Sequence, residues 1–185
     1  MIGAVLAGGA GKRFGFRSKP SALLAGRALA SYPARALAEV CETVALVCKR
    51  GSDVPELGDV QRWIEPDEPR HPLTGIVHAL EHAGEPVLVC AADMPFVTAD
   101  ACRSLLGAPR KSMAVVATAD GVLQPTFGVY APAALKLLRD APPDAPLTRT
   151  VEALHPARVA LPGRVVQSVN TPEELALAER VLTAA

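Results

Sequence analysis

A short apolar run, Met1-Ile2-Gly3-Ala4-Val5, leads directly into Leu6-Ala7-Gly8-Gly9-Ala10-Gly11-Lys12-Arg13-Phe14-Gly15-Phe16-Arg17-Ser18-Lys19-Pro20. The run has the pattern of a buried strand. Between Gly8 and Pro20 the chain then places four glycines and four cations in thirteen positions. Glycine lets a backbone turn through positive φ and bring its N–H groups close to a ligand. Lys12, Arg13, Arg17 and Lys19 add positive charge around such a hollow. A strand that ends in a concave, cationic, donor-rich loop suits a polyphosphate.

Two phosphate loops are excluded by spacing. The pattern GxxxxGK[ST] requires Gly where Leu6 stands, and Ser or Thr where Arg13 stands. The dinucleotide pattern GxGxxG fits Gly9 and Gly11 but meets Phe14 at its third glycine, and no acidic residue precedes Glu39. What fits is a nucleotidyltransferase signature, roughly LAGGxGxR(F/M)GxxxK, which Leu6 to Pro20 resembles nearly residue for residue. The competing interpretation is a Gly-rich turn carrying solvated Lys and Arg side chains.

The rest of the chain supports one α/β domain over residues 1–185, long enough to bury a substantial core. Half of the residues are hydrophobic, 21% are charged, and the net charge is zero, which argues against general nucleic-acid affinity. Cys41, Cys48, Cys90 and Cys102 lack CxxC spacing and read as buried free thiols. No apolar run reaches the roughly 20 residues of a membrane span, and no charged leader precedes the first strand, so a cytoplasmic protein without membrane contact is expected.

Further strands are expected at 43–48, 60–64, 86–92, 114–118, 124–130 and 165–169. Ser21 to Gly26 reads as an extended piece ending in a turn. Helices are expected at 28–41, 76–83, 99–106, 132–139, 148–154 and 173–182. Thr98 and Thr171 stand as caps, and Pro172 suits a first helical position. Alternating strands and helices predict a Rossmann-like, mostly parallel sheet with helices on both faces. His78 and His82 lie at i, i+4 without an acidic partner motif and read as solvated helix histidines rather than metal ligands.

Asp93 follows the most apolar run, Pro86 to Ala92, and so sits at the carboxyl end of a strand, where open α/β sheets bind ligands. A single carboxylate beside a triphosphate suits Mg²⁺, which keeps several waters. The alternative is an Asp that caps the following helix.

Four elements, Leu6 to Pro20, Asp93-Met94-Pro95-Phe96, Gln124-Pro125-Thr126-Phe127 and Val169-Asn170-Thr171-Pro172-Glu173-Glu174-Leu175, together resemble the molybdenum cofactor guanylyltransferase family, in the family's order and across essentially the whole chain. The resemblance implies a nucleotide-diphospho-sugar transferase-like fold and Mg²⁺-dependent transfer of GMP from GTP to the terminal phosphate of molybdopterin, with release of pyrophosphate. It implies that Leu6, Ala7, Gly8, Gly9 and Gly11 cradle the nucleotide with Lys19, Lys49, Asp67 and Asp93. It makes Lys19, Arg13 and Asp93 catalytic, Asp93 the metal ligand, and Asn170 a pterin-side residue. Transient contact with a molybdoenzyme or cofactor-synthesis protein is a further implication.

The chain departs from the family at several positions. Ser168 stands for the first Asn of Asn-x-Asn, His71 for the first Gly of Gly-Pro-Leu-x-Gly, and Lys49 for a base-proximal Asn; an acid expected after the third strand is Asp67 or absent. Molybdopterin cytidylyltransferase, another small-phosphate nucleotidyltransferase, and a non-catalytic nucleotide-binding or cofactor-chaperone module remain as alternatives.

Overall fold

The computed structural model describes residues 1–9, 18–109, 111–142 and 144–183. Strand β1 (Ile2–Leu6) occupies the centre of a seven-stranded sheet. Around it lie β4 (Thr43–Cys48), β5 (Gln61–Ile64), β6 (Val87–Ala91), β7 (Ala114–Ala119), β8 (Val122–Tyr130) and β9 (Ala157–Ala160), in the order β5-β4-β1-β6-β8-β7-β9. Among the described residues β8 alone runs antiparallel to its neighbours in this sheet. The expected mostly parallel sheet is therefore present.

Alternate residues of the central strands face opposite layers, because successive side chains of a strand point to opposite faces. On one face Val5, Leu46, Leu88 and Val115 pack with Leu37 of α1 (Ser31–Ala38) and with Cys102 and Leu105 of α3 (Ala99–Gly107). On the other, Ala4, Val47, Val89 and Val116 pack with Ile76 and Leu80 of α2 (Pro72–Ala83), Leu138 of α4 (Leu135–Arg139) and Val151 of α5 (Leu147–Glu152). Helices therefore cover both faces. Cys48, Cys90 and Cys102 are buried free thiols as expected, and Cys41 is partly buried. Among the described residues no helix is long and apolar enough to cross a membrane.

Three differences from the sequence reading bear on the site, two of them with a local reason. Helix α1 starts at Ser31 rather than 28, because β2 (Leu23–Leu24) and β3 (Arg27–Ala28) form a hairpin first. Its two-residue turn, Ala25 and Gly26, has φ of 47° and 76°, as tight hairpins demand. Helix α2 starts at Pro72 rather than 76. His71 caps it, its Nδ1 accepting from Leu73 N at 3.3 Å, and Pro72 takes the first position, where a missing N–H costs nothing. His71 itself is extended, with φ −135°, a conformation open to any residue, so its replacement of glycine carries no backbone strain.

The third difference is the largest. Residues 165–169 are not a strand; the last strand is Ala157–Ala160, at the sheet edge, with alternating half-buried and exposed positions that give little apolar signal. The apolar residues of 165–169 are buried by tertiary contact instead. Val166 joins the α1/α3 core. Val169 packs with Leu24, Leu29 and Ala178, and its N–H donates to Asp93 O at 2.8 Å. This irregular segment leads into α6 (Pro172–Thr183), where Thr171 Oγ1 accepts from Glu174 N at 3.2 Å and the Glu174 carboxylate accepts from Asn170 N. That reciprocal arrangement resembles a capping box. It fixes the turn before α6 against the end of β6.

Candidate active site

Strands β1 and β6 lie side by side, Leu6 opposite Ala91. The chain winds away from β1 in one direction to β4 and β5, then returns to β6 on the other side. Ligands of open α/β sheets bind outside the strand ends at such a reversal. Gly8 and Asp93, two residues beyond each strand, meet there on the wall of a cavity of about 200 Å³.

Asp93, Lys19 and Asn170 converge at its edge. Lys19 Nζ donates to Asp93 Oδ2 and, at 2.8 Å, to Asn170 Oδ1. These positions are 74 and 151 residues away from Lys19 in sequence, so only the fold joins them. The Lys19 and Asp93 side chains are 16% and 23% exposed, open enough for a ligand to reach yet sheltered enough for their charges to matter. Thr98 Oγ1, not Asp93, caps α3, accepting from Ala101 N at 3.2 Å. Asp93 Oδ1 is buried without a hydrogen-bond partner among the described residues.

That unused oxygen fits a hard cation, since Mg²⁺ typically takes one or two carboxylate oxygens and completes its shell with water and phosphate. Among the described residues no group of three or more His, Cys, Asp or Glu forms an all-protein metal cage.

Glu65, the residue directly after β5, also lines the cavity. It is 5% exposed. Its Oε1 lies 3.4 Å from Lys49 Nζ, while Oε2 has no hydrogen-bond partner among the described residues. Burial pushes the Glu65 carboxyl above its ordinary range, and the Lys49 ammonium opposes that push. Lys49 also donates to Pro66 O at 2.6 Å. Burial lowers the His71 pKa, and His71 Nδ1 already serves as the α2 cap, so this cavity-lining imidazole contributes no cation at neutral pH.

Glu65 explains two glycines. A Cβ on Gly8 would collide with Glu65 Oε1, and one on Gly75 would lie 3.1 Å from Glu65 Oε2 and 3.0 Å from Leu6 Cδ2. Neither Gly8 nor Gly9 has positive φ, so Gly8 serves close approach rather than a left-handed turn. Gly8→Ala is therefore expected to cost about 1–3 kcal/mol through overpacking, lowering Tm and weakening nucleotide binding. Nothing lies within 4 Å of a Cβ on Gly9, so Gly9→Ala is the control and should leave Tm unchanged. Thermal unfolding of both variants checks the contrast.

The remaining expected site residues are distributed unevenly. Leu6, Gly8, Gly9 and Asp93 line the cavity. Ala7 turns its side chain into the core and gives its N–H to Val47 O at 2.8 Å. Lys49 lies behind Glu65, outside the cavity lining, and Asp67 is exposed away from it. Gly11 and Arg13 lie outside the described residues. Sequence reading overlooked Glu65, Arg70, Thr126 and Ser168 as cavity residues. Position was an available signal for Glu65, which follows a strand as Asp93 does.

With this geometry in place, comparison with known proteins is decisive. The model of the MobA-like NTP transferase domain matches residues 3–178. The chain belongs to that family. It is 32% identical to the molybdenum cofactor guanylyltransferase of Rhizobium leguminosarum bv. trifolii, an alignment covering 100% of this chain and 94% of that protein. It is 31% identical to the molybdenum cofactor guanylyltransferase of Cereibacter sphaeroides, covering 98% and 97%. The crystal structure of molybdopterin-guanine dinucleotide biosynthesis protein A from Archaeoglobus fulgidus superposes with a TM-score of 0.79 at 24% identity, over 100% of both chains. As a MobA-like NTP transferase, this chain is a nucleotidyltransferase, on the nucleotide-diphospho-sugar transferase fold.

Proposed function

We propose that this transferase moves GMP from GTP to the terminal phosphate of a molybdopterin-type acceptor, releasing pyrophosphate, with Mg²⁺ held at Asp93. The observation that carries the reading is the meeting of Lys19, Asp93 and Asn170 beside the cavity at the ends of β1 and β6. The names of the two full-length relatives support the choice of GTP and of a molybdopterin substrate. Contact with cofactor-synthesis proteins or a molybdoenzyme, to pass on the product, belongs to the same proposal.

Glu65 and Asp93 suit different parts of a nucleotide. Glu65 presents a buried carboxylate oxygen without a partner among the described residues, which repels phosphate and accepts from N–H or O–H groups. The guanine edge, with its adjacent N–H donors, suits it better than the cytosine edge. In this reading the phosphates lie beside the paired Lys19 and Asp93.

In the transfer, an oxygen of the acceptor phosphate attacks the α-phosphorus of GTP. The bond from that phosphorus to the bridging oxygen breaks, and pyrophosphate departs with the electron pair. An acceptor phosphate is already ionised, so no strong general base is needed. The work is positioning and charge neutralisation. Lys19, oriented by Asp93 and Asn170, donates to the non-bridging α-phosphoryl oxygens as charge builds on them. Arg13 serves the departing pyrophosphate. When bound, Mg²⁺ supplies Lewis-acid charge that offsets repulsion between the two anionic substrates.

Calorimetric titration with GTP, CTP and ATP, each with and without Mg²⁺, tests the reading. GTP should bind most tightly, and more tightly with Mg²⁺. A preference for CTP would transfer the assignment to a cytidylyltransferase. Tight GTP binding without pyrophosphate release, when acceptor is supplied, would favour a non-catalytic module.

A further inference from the structure

Resting on the reading of the cavity as the nucleotide site, we propose that Lys49 is a positioning residue for Glu65: it neutralises the carboxylate through Oε1 and thereby keeps Oε2 as a fixed, ionised acceptor for the nucleoside. Lys49 does not line the cavity. Its side chain is 7% exposed and that of Glu65 4%, and Nζ faces Glu65 Oε1 and donates to Pro66 O. Burying two ions carries a heavy desolvation cost, repaid only when they are paired and hydrogen-bonded. Here Oε1 faces the cation, while Oε2 is buried without a hydrogen-bond partner among the described residues.

Glu65 has little freedom to turn away. Its N–H donates to Cys48 O at 2.9 Å, Gly8 crowds Oε1, and Gly75 crowds Oε2. The charged and titratable groups around it come from several elements. Lys49 follows β4, Asp67, Arg70 and His71 lie on its own loop, and Asp93 lines the same cavity from the end of β6. Gly8 and Gly75 bring none. Arg70 is engaged by Glu68 at 3.2 Å, His71 is held neutral by burial and capping, and Asp67 pushes the Glu65 carboxyl upward. Among the described residues, Lys49 is thus the nearby cation committed to Glu65.

A pH signature follows. The ionised carboxylate is the acceptor, and it predominates above its pKa. Removing the Lys49 cation raises that pKa further, so binding in the variant fails as pH falls and recovers as pH rises. In the wild-type protein the Lys49 cation opposes the upward push that burial exerts on the Glu65 carboxyl.

The test uses the full chain with carboxyl carbons labelled. Nuclear magnetic resonance follows the Glu65 titration in wild type, Lys49→Met, Lys49→Gln and Lys49→Arg, and calorimetry follows GTP binding from pH 6 to pH 9. Lys49→Gln keeps a donor for Pro66 O and replaces Lys49→Met should the latter fail to fold. Loss of the cation should raise the Glu65 midpoint and make GTP binding about tenfold weaker at the acid end than at the alkaline end. Lys49→Arg should behave as wild type. An unmoved Glu65 midpoint, or GTP binding weakened by the same factor at every pH, overturns the proposal. If wild type ignores GTP while the Glu65 midpoint still rises in Lys49→Gln, the role of Lys49 stands and the nucleotide assignment alone falls.

Discussion

Lys19→Ala should lower kcat by about 10²–10³, the usual loss when one well-placed charge-stabilising donor is removed. The ammonium is held by Asp93 and Asn170 before any substrate arrives, so its orientation needs no reorganisation during the reaction. Its deletion would also leave the Asp93 charge uncompensated beside two incoming phosphates. Lys19→Arg should restore only part of the rate, because a planar guanidinium does not reproduce a compact ammonium donating to two oxygens. The ion pair is partly exposed, and its loss should change stability by only about 1 kcal/mol. Pyrophosphate release measured alongside thermal unfolding separates these effects. An unchanged turnover would remove Lys19 from the chemistry.

Asp93→Asn should remove the gain in GTP affinity on adding Mg²⁺ and reduce turnover by a similar factor of about 10². An amide retains the shape of the carboxylate but not its charge, and Mg²⁺ binds anionic oxygen. Folding should change little. Thr98 caps α3, and the backbone oxygen of residue 93, rather than its side chain, accepts from Val169 N. The two interpretations of Asp93 therefore predict opposite results. If the protein unfolds while activity per folded molecule persists, Asp93 is structural; if metal dependence disappears from a folded protein, it is the ligand. Titration of GTP into folded Asp93→Asn with and without Mg²⁺ decides between them.

Local patterns made the sheet legible. Val44 to Cys48 and Val87 to Ala91 are unbroken apolar runs, and buried parallel strands have that character. The caps at Thr98 and Thr171 were legible because capping is a short-range hydrogen bond with a sequence spacing. The short edge strand Ala157–Ala160 was missed because it is half exposed, and 165–169 imitated a strand because its valines are buried by packing rather than by pairing. In the site, Lys19, Asp93 and Asn170 each stood in a recognisable motif. Glu65 did not, and Lys49 appeared to belong at the base.

The chain's own order of residues determined a strand followed by a glycine-rich cationic loop, a carboxylate at the end of another strand, and an Asn-Thr-Pro turn before the last helix. Those are consequences of local periodicity, backbone freedom and charge. Only the tertiary structure decided that the Asn170 turn folds back over Asp93, that Lys19 is shared between them, and that Lys49 spends its charge on Glu65 instead of on the cavity. The pairings among these groups span as many as 151 residues. Contacts of that separation come from strand order and the burial of Val169, and neither leaves a periodic signature in the sequence.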